Sequence, residues 1–486
     1  MLLMLLRRRE MLTYQLPRGE PKEWAKEQFG GARMRDVRRC RRAEKIAEAM
    51  ARKPGSSVPA LFDRRYDVKA AYGLFDRSEA TPDNLQAGHR EVVKREASRA
   101  GQTVLLIEDS TECSWSGGEP IAGLGPIGNA ADGLQGFWAH SVVAVRWPEL
   151  PSDPTGKRPP VEVLGLADQT YHVRSAQRAP RQTSSRRKRR ARESQIWEQT
   201  TDRLGPAPAG ARWVRVADRG ADIYEFLSGC QRARHGFVVR AAQDRALEGA
   251  HVSLFEQARK ARVLGHFTLH LRARPGQPAR DAHVAVAATT VVLRAPYRPG
   301  HSPGRLPPIV CAVVRVFEPK PPEGVQKPLE WILLCDQPVS TYEEAVEVAL
   351  QYSTRWLIEE LHKALKTGLG AERLQLQEAH RLFAAIAIMS VVALRLIDLR
   401  ERVRLTPDAP AEQSGLTPLE LDVLGARLNR SLRTVRDVAL AIGRLGGHMN
   451  RKSDGMPGWK TLWLGMKELT LLVQGVHLAH RLRRFG

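Results

Sequence analysis

Residues Gln351–Gly370 read QYSTRWLIEELHKALKTGLG. Wound as a helix at about 100° per residue, the stretch has two faces. Tyr352, Arg355, Glu359, His362, Lys363 and Lys366 fall within an arc of roughly 100°, and Leu357 and Leu361 lie opposite. One carboxylate therefore stands in a row of cationic and hydrogen-bonding groups, on a helix whose back suits a core. Such a face suits a metal ion held against a phosphate chain. It asks the rest of the sequence for further acidic ligands and for a polyanion. Ser340-x-x-Glu343 fits a capping box, and no Gly or Pro follows the helical text from Ser340 until Gly368, so one long helix is predicted there.

Two upstream segments supply acids. Thr103-Val-Leu-Leu-Ile107 is an apolar run with β-branched ends, the mark of a buried strand, and it leads into Glu108-Asp109-Ser110. Trp213-Val-Arg-Val-Ala217 is a second short strand, ending at Asp218 and followed by helical text over Ala221–Cys230. Open α/β sheets bind their ligands at such carboxyl ends. Asp109, Asp218 and Glu359 are thus the candidate metal ligands. Three carboxylates converging on one point repel one another unless a hard cation neutralises them. Mg²⁺ takes oxygen ligands and is held by one or two carboxylates plus substrate phosphates. Two such ions about 3.5–4 Å apart activate an attacking oxygen and stabilise a leaving one. Taken singly, each acid is far more often a cap, a turn residue or a surface charge than a ligand; the constellation carries the assignment.

Composition agrees with a polyanionic partner. The 486 residues carry 76 Lys+Arg against 53 Asp+Glu, a formal charge of +23, which favours nucleic acid over a membrane surface. A uniformly basic proteome would give the same total, but here the charge is clustered. The five cysteines form no C-x-x-C pair, so neither a zinc ribbon nor a disulfide framework is indicated, and a cytoplasmic location fits. The opening MLLMLLRRRE has its apolar run before its charges, the reverse of a secretory signal. The apolar run Leu382–Leu394 is too short to span a bilayer and reads as a buried helix.

The chain segments into residues 1–20, disordered or an extension; 21–82, a basic helical unit with Trp24, Phe29, Ile46 and Met50 as core; 83–235, the first part of an α/β core; 236–338, mainly antiparallel strands that look like an insertion; 339–405, the second part of the core; and 406–486, helical again, anchored by Trp459 and Trp463. Gly443 and Gly446-Gly447 allow close helix packing. Arg174–Arg192, with the block SSRRKRRAR, is either a solvated loop or a phosphate-gripping arm.

Tyr352, Arg355, Glu359 and Lys366 have the spacing Tyr, two residues, Arg, three residues, Glu, six residues, Lys. Together with LLIEDST around Asp109, VADRGADIYEFL around Asp218, WAHSVV, the FVVR ending at Arg240, PLEWILLCDQPV with Trp331, and the closing AIGRLGGHMNRKSDGMPGWKTLW, this text resembles the DDE transposases of bacterial cut-and-paste insertion sequences, in particular the insertion-sequence-four family that includes the transposon-five transposase. The likeness extends over most of the chain from Trp24 onward. It implies a ribonuclease-H-like core with a β-rich insertion, flanked by an N-terminal end-binding domain and a C-terminal helical dimerisation domain. It also implies a reaction dependent on Mg²⁺ or Mn²⁺, with two ions. Transposon ends are cleaved, a hairpin is formed and opened, and the freed 3′ end joins target DNA. The partners are then double-stranded DNA and a second copy in the synaptic complex, with no membrane. The resemblance gives Tyr352, Arg355, Lys363 and Lys366 phosphate-gripping roles, Arg240 a contact to the transposon end, and Trp331 stacking on a flipped base. Gly73 departs from the Arg that members often carry there, and Gly220 from their Glu. Two rivals share these motifs: a transposase-derived DNA-binding protein that no longer cuts, and a nuclease that only hydrolyses. The E-x-x-H spacing of Glu359 and His362 also occurs in di-iron bundles, but those need Glu from two further helices.

Overall fold

The computed structural model describes residues 21–116, 119–128, 133–150, 156–174, 195–271, 279–297, 306–325, 327–451 and 454–482. Residues 1–20 and most of the arginine-rich segment 174–192 lie outside them. The chain divides into two compact units, Met1–Val92 with Ala364–Gly486, and Val93–Lys363.

The first unit opens with α1 (Pro21–Phe29), α2 (Val37–Arg52), α3 (Val58–Leu61), α4 (Arg65–Phe75), α5 (Pro82–Leu85) and the start of α6 (Ala87–Ala97). Trp24, Phe29, Ile46 and Met50 are buried, as their spacing predicts. Asp36 caps α2 by accepting from the Arg38 amide. The buried Asp67 carboxylate accepts from Arg42 at 2.8 Å and Lys45 at 2.7 Å, tying α4 to α2.

The second unit is built on one sheet. Its strands are β1 (Thr103–Trp115), β2 (Gly125–Pro126), β3 (Gln135–Trp147), β4 (Glu162–His172), β5 (Arg212–Ala217), β6 (Gly236–Arg240), β7 (Val263–Leu271), β8 (Arg280–Leu293), β9 (Ile309–Phe317) and β10 (Glu330–Cys335). Their order is β2-β3-β1-β5-β6-β10-β9-β8-β7, with β4 also paired to β3. β1, β3 and β4 run antiparallel, β1, β5 and β6 parallel, and β10 to β7 antiparallel again. Helices α7 (Ile196–Leu204), α8 (Tyr224–Arg232) and α9 (Leu254–Lys260) cover one face, where Trp197, Phe226, Leu227, Leu254, Val239 and Leu334 share a core. Helices α10 (Tyr342–Ser353) and α11 (Trp356–Lys363) complete the unit.

Three expectations are sharpened or corrected here. The segment 236–338, read as a β-rich insertion, continues the core sheet instead of forming a sheet of its own. β6 belongs to the parallel run, and β10 pairs with its free edge through Leu333 and Arg240, so β7–β10 lengthen the same sheet. An unpaired β6 edge would leave a row of backbone donors and acceptors without partners. Second, Asp109 is not at a strand end: β1 continues to Trp115 along β3, and only its pairing with β5 stops at Ile107. Third, the helix from Ser340 is broken. α10 starts at Tyr342 behind a capping box of Thr341 and Glu344, one residue later than the predicted pair. It ends at Ser353, where the Ser353 and Thr354 hydroxyls both donate to the Leu350 carbonyl, at 2.7 and 2.9 Å, beside the Thr354 amide at 3.2 Å. α11 then begins afresh at Trp356 and runs into a π-helical turn, Ala364–Gly368.

The sequence groups residues 339–405 with the catalytic core, whereas the compact units part after Lys363. The first unit resumes with the π turn, α12 (Ala379–Leu405), α13 (Pro418–Leu428), α14 (Val435–Leu445) and α15 (Trp459–Leu482). The run Leu382–Leu394 is the middle of α12, which is long and apolar enough to cross a membrane but is mostly buried. Trp459 packs on Gly368 and Trp463 on Gly55. A Cβ at Gly446 would overlap the Thr461 carbonyl oxygen, so glycine is what lets α14 and α15 approach. Gly443 meets Pro457 in the same way, while Gly447 serves a turn at φ 92°.

Candidate active site

Strand register aligns two of the acids. Ile107 pairs with Val216 in parallel strands, and Asp109 and Asp218 each lie two residues beyond that last matched couple, where β1 and β5 have ceased to pair. Side chains alternate across a sheet, so both lie on the face opposite Glu108 and Arg215. The third acid arrives on α11, which packs on β1 and β3. Arg355 joins it to the first: its guanidinium donates to Asp109 Oδ2 at 3.1 Å and to Glu359 Oε1 one helical turn away. The Asp109 side chain is 20% exposed and that of Glu359 27%. Both are therefore within reach of a ligand yet poorly hydrated.

Electrostatics fit a site that wants a cation. Burial pushes the Asp109 carboxyl up to about 7, and the neighbouring Asp218 and Glu359 push the same way; Arg355 and the Ser110 amide oppose them. Asp218 turns one oxygen to the Gly220 amide at 2.7 Å. The three acids are not drawn to ligating distance. Among the described residues, the trio of His, Cys, Asp or Glu ligand atoms within 4.8 Å of one another is Asp76, Glu378 and His380 in the first unit. There Arg381 already pairs with Asp76 at 2.7 Å. At the acids of the sheet unit, Arg355 stands between Asp109 and Glu359 as their counter-charge. An all-oxygen donor set that holds a guanidinium suits a hard dication of the Mg²⁺ or Mn²⁺ type.

The other site residues divide. Tyr352 and Trp331 are buried against each other, ring centroids 4.9 Å apart. Stacking of Trp331 on a base therefore requires the two rings to part. Arg240 closes β6 and donates to the Glu330 carbonyl at 2.8 Å. Lys363 is exposed at the end of α11, and His362 is buried. Lys366 belongs to the first unit, on the π turn, where its ammonium stands 3.4 Å from Glu372.

Two segments of the first unit match known families. Residues 21–80 match the family described as Transposase DNA-binding, and residues 419–486 match Transposase Tn5 dimerisation domain. Both matches support a likeness to a Tn5-like transposase at these two segments.

The first of these matching segments presents an exposed basic surface. Arg38 and Arg41 on α2, with Arg64, Arg65, Tyr66 and Lys69 at and along α4, face solvent. Tyr66 is 73% exposed, with the Arg42 guanidinium 5.6 Å from its ring. Gly73 continues that helix with open space where a Cβ would stand. The dimerisation segment ends in α15, where Leu464, Leu471 and Leu478 repeat every seventh residue and are 40%, 62% and 52% exposed. The basic character of residues 21–82 was read from the sequence, but the exposed side chains of α4 and the leucine stripe were not. The leucine spacing was legible there as a heptad stripe.

Sequence reasoning also missed the reverse face of the sheet. Glu108 and Arg215 are fully buried and pair there, beside His140 and Thr201. The signal was a charge inside the apolar strand WVRVA, since buried charges are rare unless partnered.

Proposed function

We propose that the chain is a divalent-metal-dependent DNA transposase that cuts at transposon ends, forms and opens a hairpin, and joins the freed 3′ end to target DNA. What supports this is Arg355 joining Asp109 to Glu359, with Asp218 just beyond the neighbouring strand β5, in a chain whose segments 21–80 and 419–486 match transposase DNA-binding and dimerisation families. The strand order β4-β3-β1-β5-β6, antiparallel then parallel, supports a ribonuclease-H-like core. Asp109, Asp218 and Glu359 would hold the ions, which when bound supply charge neutralisation and a polarised attacking oxygen. Arg355 is placed to exchange its carboxylate partners for a phosphate of the DNA end, where its planar fork matches two oxygens. Lys363, Lys366 and Arg240 would add phosphate contacts. Trp331 would take the flipped base once Tyr352 swings away, replacing its lost stacking. The cell compartment is the cytoplasm, where the DNA is.

Duplexes carrying the terminal inverted repeats that flank the coding sequence, mixed with a target plasmid and Mg²⁺, test this. Hairpin and joined products are expected. Hydrolysis alone would favour the nuclease, and binding without any cleavage would favour the DNA-binding rival.

The N-terminal face should bind DNA through phosphates. Lys69→Ala is expected to weaken binding to all sequences alike and to lower the slope of log affinity against log salt by about 1. Gly73→Arg should raise that slope by a similar amount, and filter-binding titrations over a salt series measure both. For the dimer, Leu471→Glu places a charge in the exposed leucine stripe of α15. It is expected to shift the protein to monomer by sedimentation while leaving its melting midpoint within roughly 2 °C, because exposed substitutions change stability by about 0.5 kcal/mol or less.

A further inference from the structure

We infer that the buried cluster on the reverse face of the sheet is a positioning device for the acidic site, an inference that rests on the metal-dependent reading above. Glu108 and Ser110 flank Asp109 on β1, and alternation turns both to the face away from it. Each is held there. The Glu108 carboxylate pairs with Arg215 of β5, with both side chains 0% exposed. Ser110 Oγ is 2.8 Å from His140 Nδ1 on β3, and His140 Nε2 stands 3.4 Å from the same Glu108 carboxylate. Arg215 donates in turn to Thr201 of α7 at 2.8 Å, and its guanidinium lies 5.1 Å from the Phe226 ring of α8. Trp197 of α7 closes the cluster edge-on to His140 at 4.7 Å.

The result is that Asp109 sits between two anchored neighbours, and β5 is pinned to β1 three residues before Asp218. Stability alone does not account for this arrangement. Glu108 Oε1 and Arg215 Nε are buried and make no hydrogen bond among the described residues. A buried pair with leftover polar atoms is generally replaceable by apolar side chains without loss of stability. What apolar side chains would not reproduce is a directional tie between the two strands that carry Asp109 and Asp218. Groups behind metal ligands commonly act this way, orienting ligands they do not replace.

The test uses the full chain and Mn²⁺ alone, read by electron paramagnetic resonance, together with melting in metal-free buffer. In the double variant Glu108→Met with Arg215→Met, the melting midpoint should equal or exceed that of the native chain, while Mn²⁺ affinity falls about 10- to 100-fold. Ser110→Ala removes one hydroxyl and no buried charge, so it carries the test even if the double variant fails to fold. Its Mn²⁺ affinity should fall by roughly 10-fold. Mn²⁺ affinity within about 2-fold of native in whichever of these variants folds overturns the positioning role. Asp109→Asn separates the two levels. If native protein and Asp109→Asn bind Mn²⁺ alike, the metal site itself is wrong and this inference falls with it. If they differ while the reverse-face variants match the native chain, only the positioning role is lost.

Discussion

Replacing Glu359 with Gln is expected to abolish metal-dependent cleavage of end DNA, by a factor on the order of 10³ or more, equivalent to about 4 kcal/mol of lost transition-state stabilisation. The change is nearly isosteric and removes one charge. Arg355 shares its guanidinium between Asp109 and Glu359 in the native chain. With a neutral amide in place of the Glu359 carboxylate, it would settle on Asp109 alone and compete there with any cation. Binding of end DNA should persist, because the matching DNA-binding domain spans residues 21–80. Single-turnover cleavage and a gel-shift titration on the same preparation measure the two effects. Loss of both together would mean that the variant had misfolded or that the site had been misassigned.

Arg215→Met alone is expected to be among the most destabilising substitutions in the sheet unit. It leaves the Glu108 carboxylate buried with no guanidinium, beside a histidine 3.4 Å away. Removing one partner of a buried pair costs about 3–5 kcal/mol, whereas removing both can be neutral. Thermal melting should drop by about 10 °C for the single variant and recover in the double variant with Glu108→Met. The non-additivity is the diagnostic: two sites that merely filled space would show summed losses. If Arg215→Met melts like the native chain, the pair is not a pair in solution.

The candidate site was read from text in which chemistry and period coincide. An apolar β-branched run leading into an acid is a local pattern, and it nominated Asp109 and Asp218 without knowledge of what pairs with what. The arc containing Arg355 and Glu359 survives the break at Thr354, since both lie one turn apart at α11. The break itself was not legible. Ser353 and Thr354 are ordinary in helical text until their hydroxyls add to the load on the Leu350 carbonyl, and a hydrophobic period does not register those bonds. The union of β6–β10 with the core sheet was hidden for another reason. Strand text looks the same whether its edge meets a neighbour in a second sheet or extends the first, and only the pairing of Leu333 with Arg240 decides it. Trp331 shows a residue whose family role and whose packing differ: the resemblance offers its ring to a base, and the structure seats it against Tyr352. Arg215 was written plainly in WVRVA, yet the significance of a charge in a buried strand depends on Glu108, 107 residues away in sequence.

The central claim is that Asp109, Asp218 and Glu359 share metal ions. Anomalous diffraction from crystals of the full chain bound to end DNA and soaked in Mn²⁺ addresses it most directly. Anomalous density is expected among these three carboxylates, with the Arg355 guanidinium turned from them toward a phosphate. Density absent there, or found instead only at Asp76, Glu378 and His380, would contradict it.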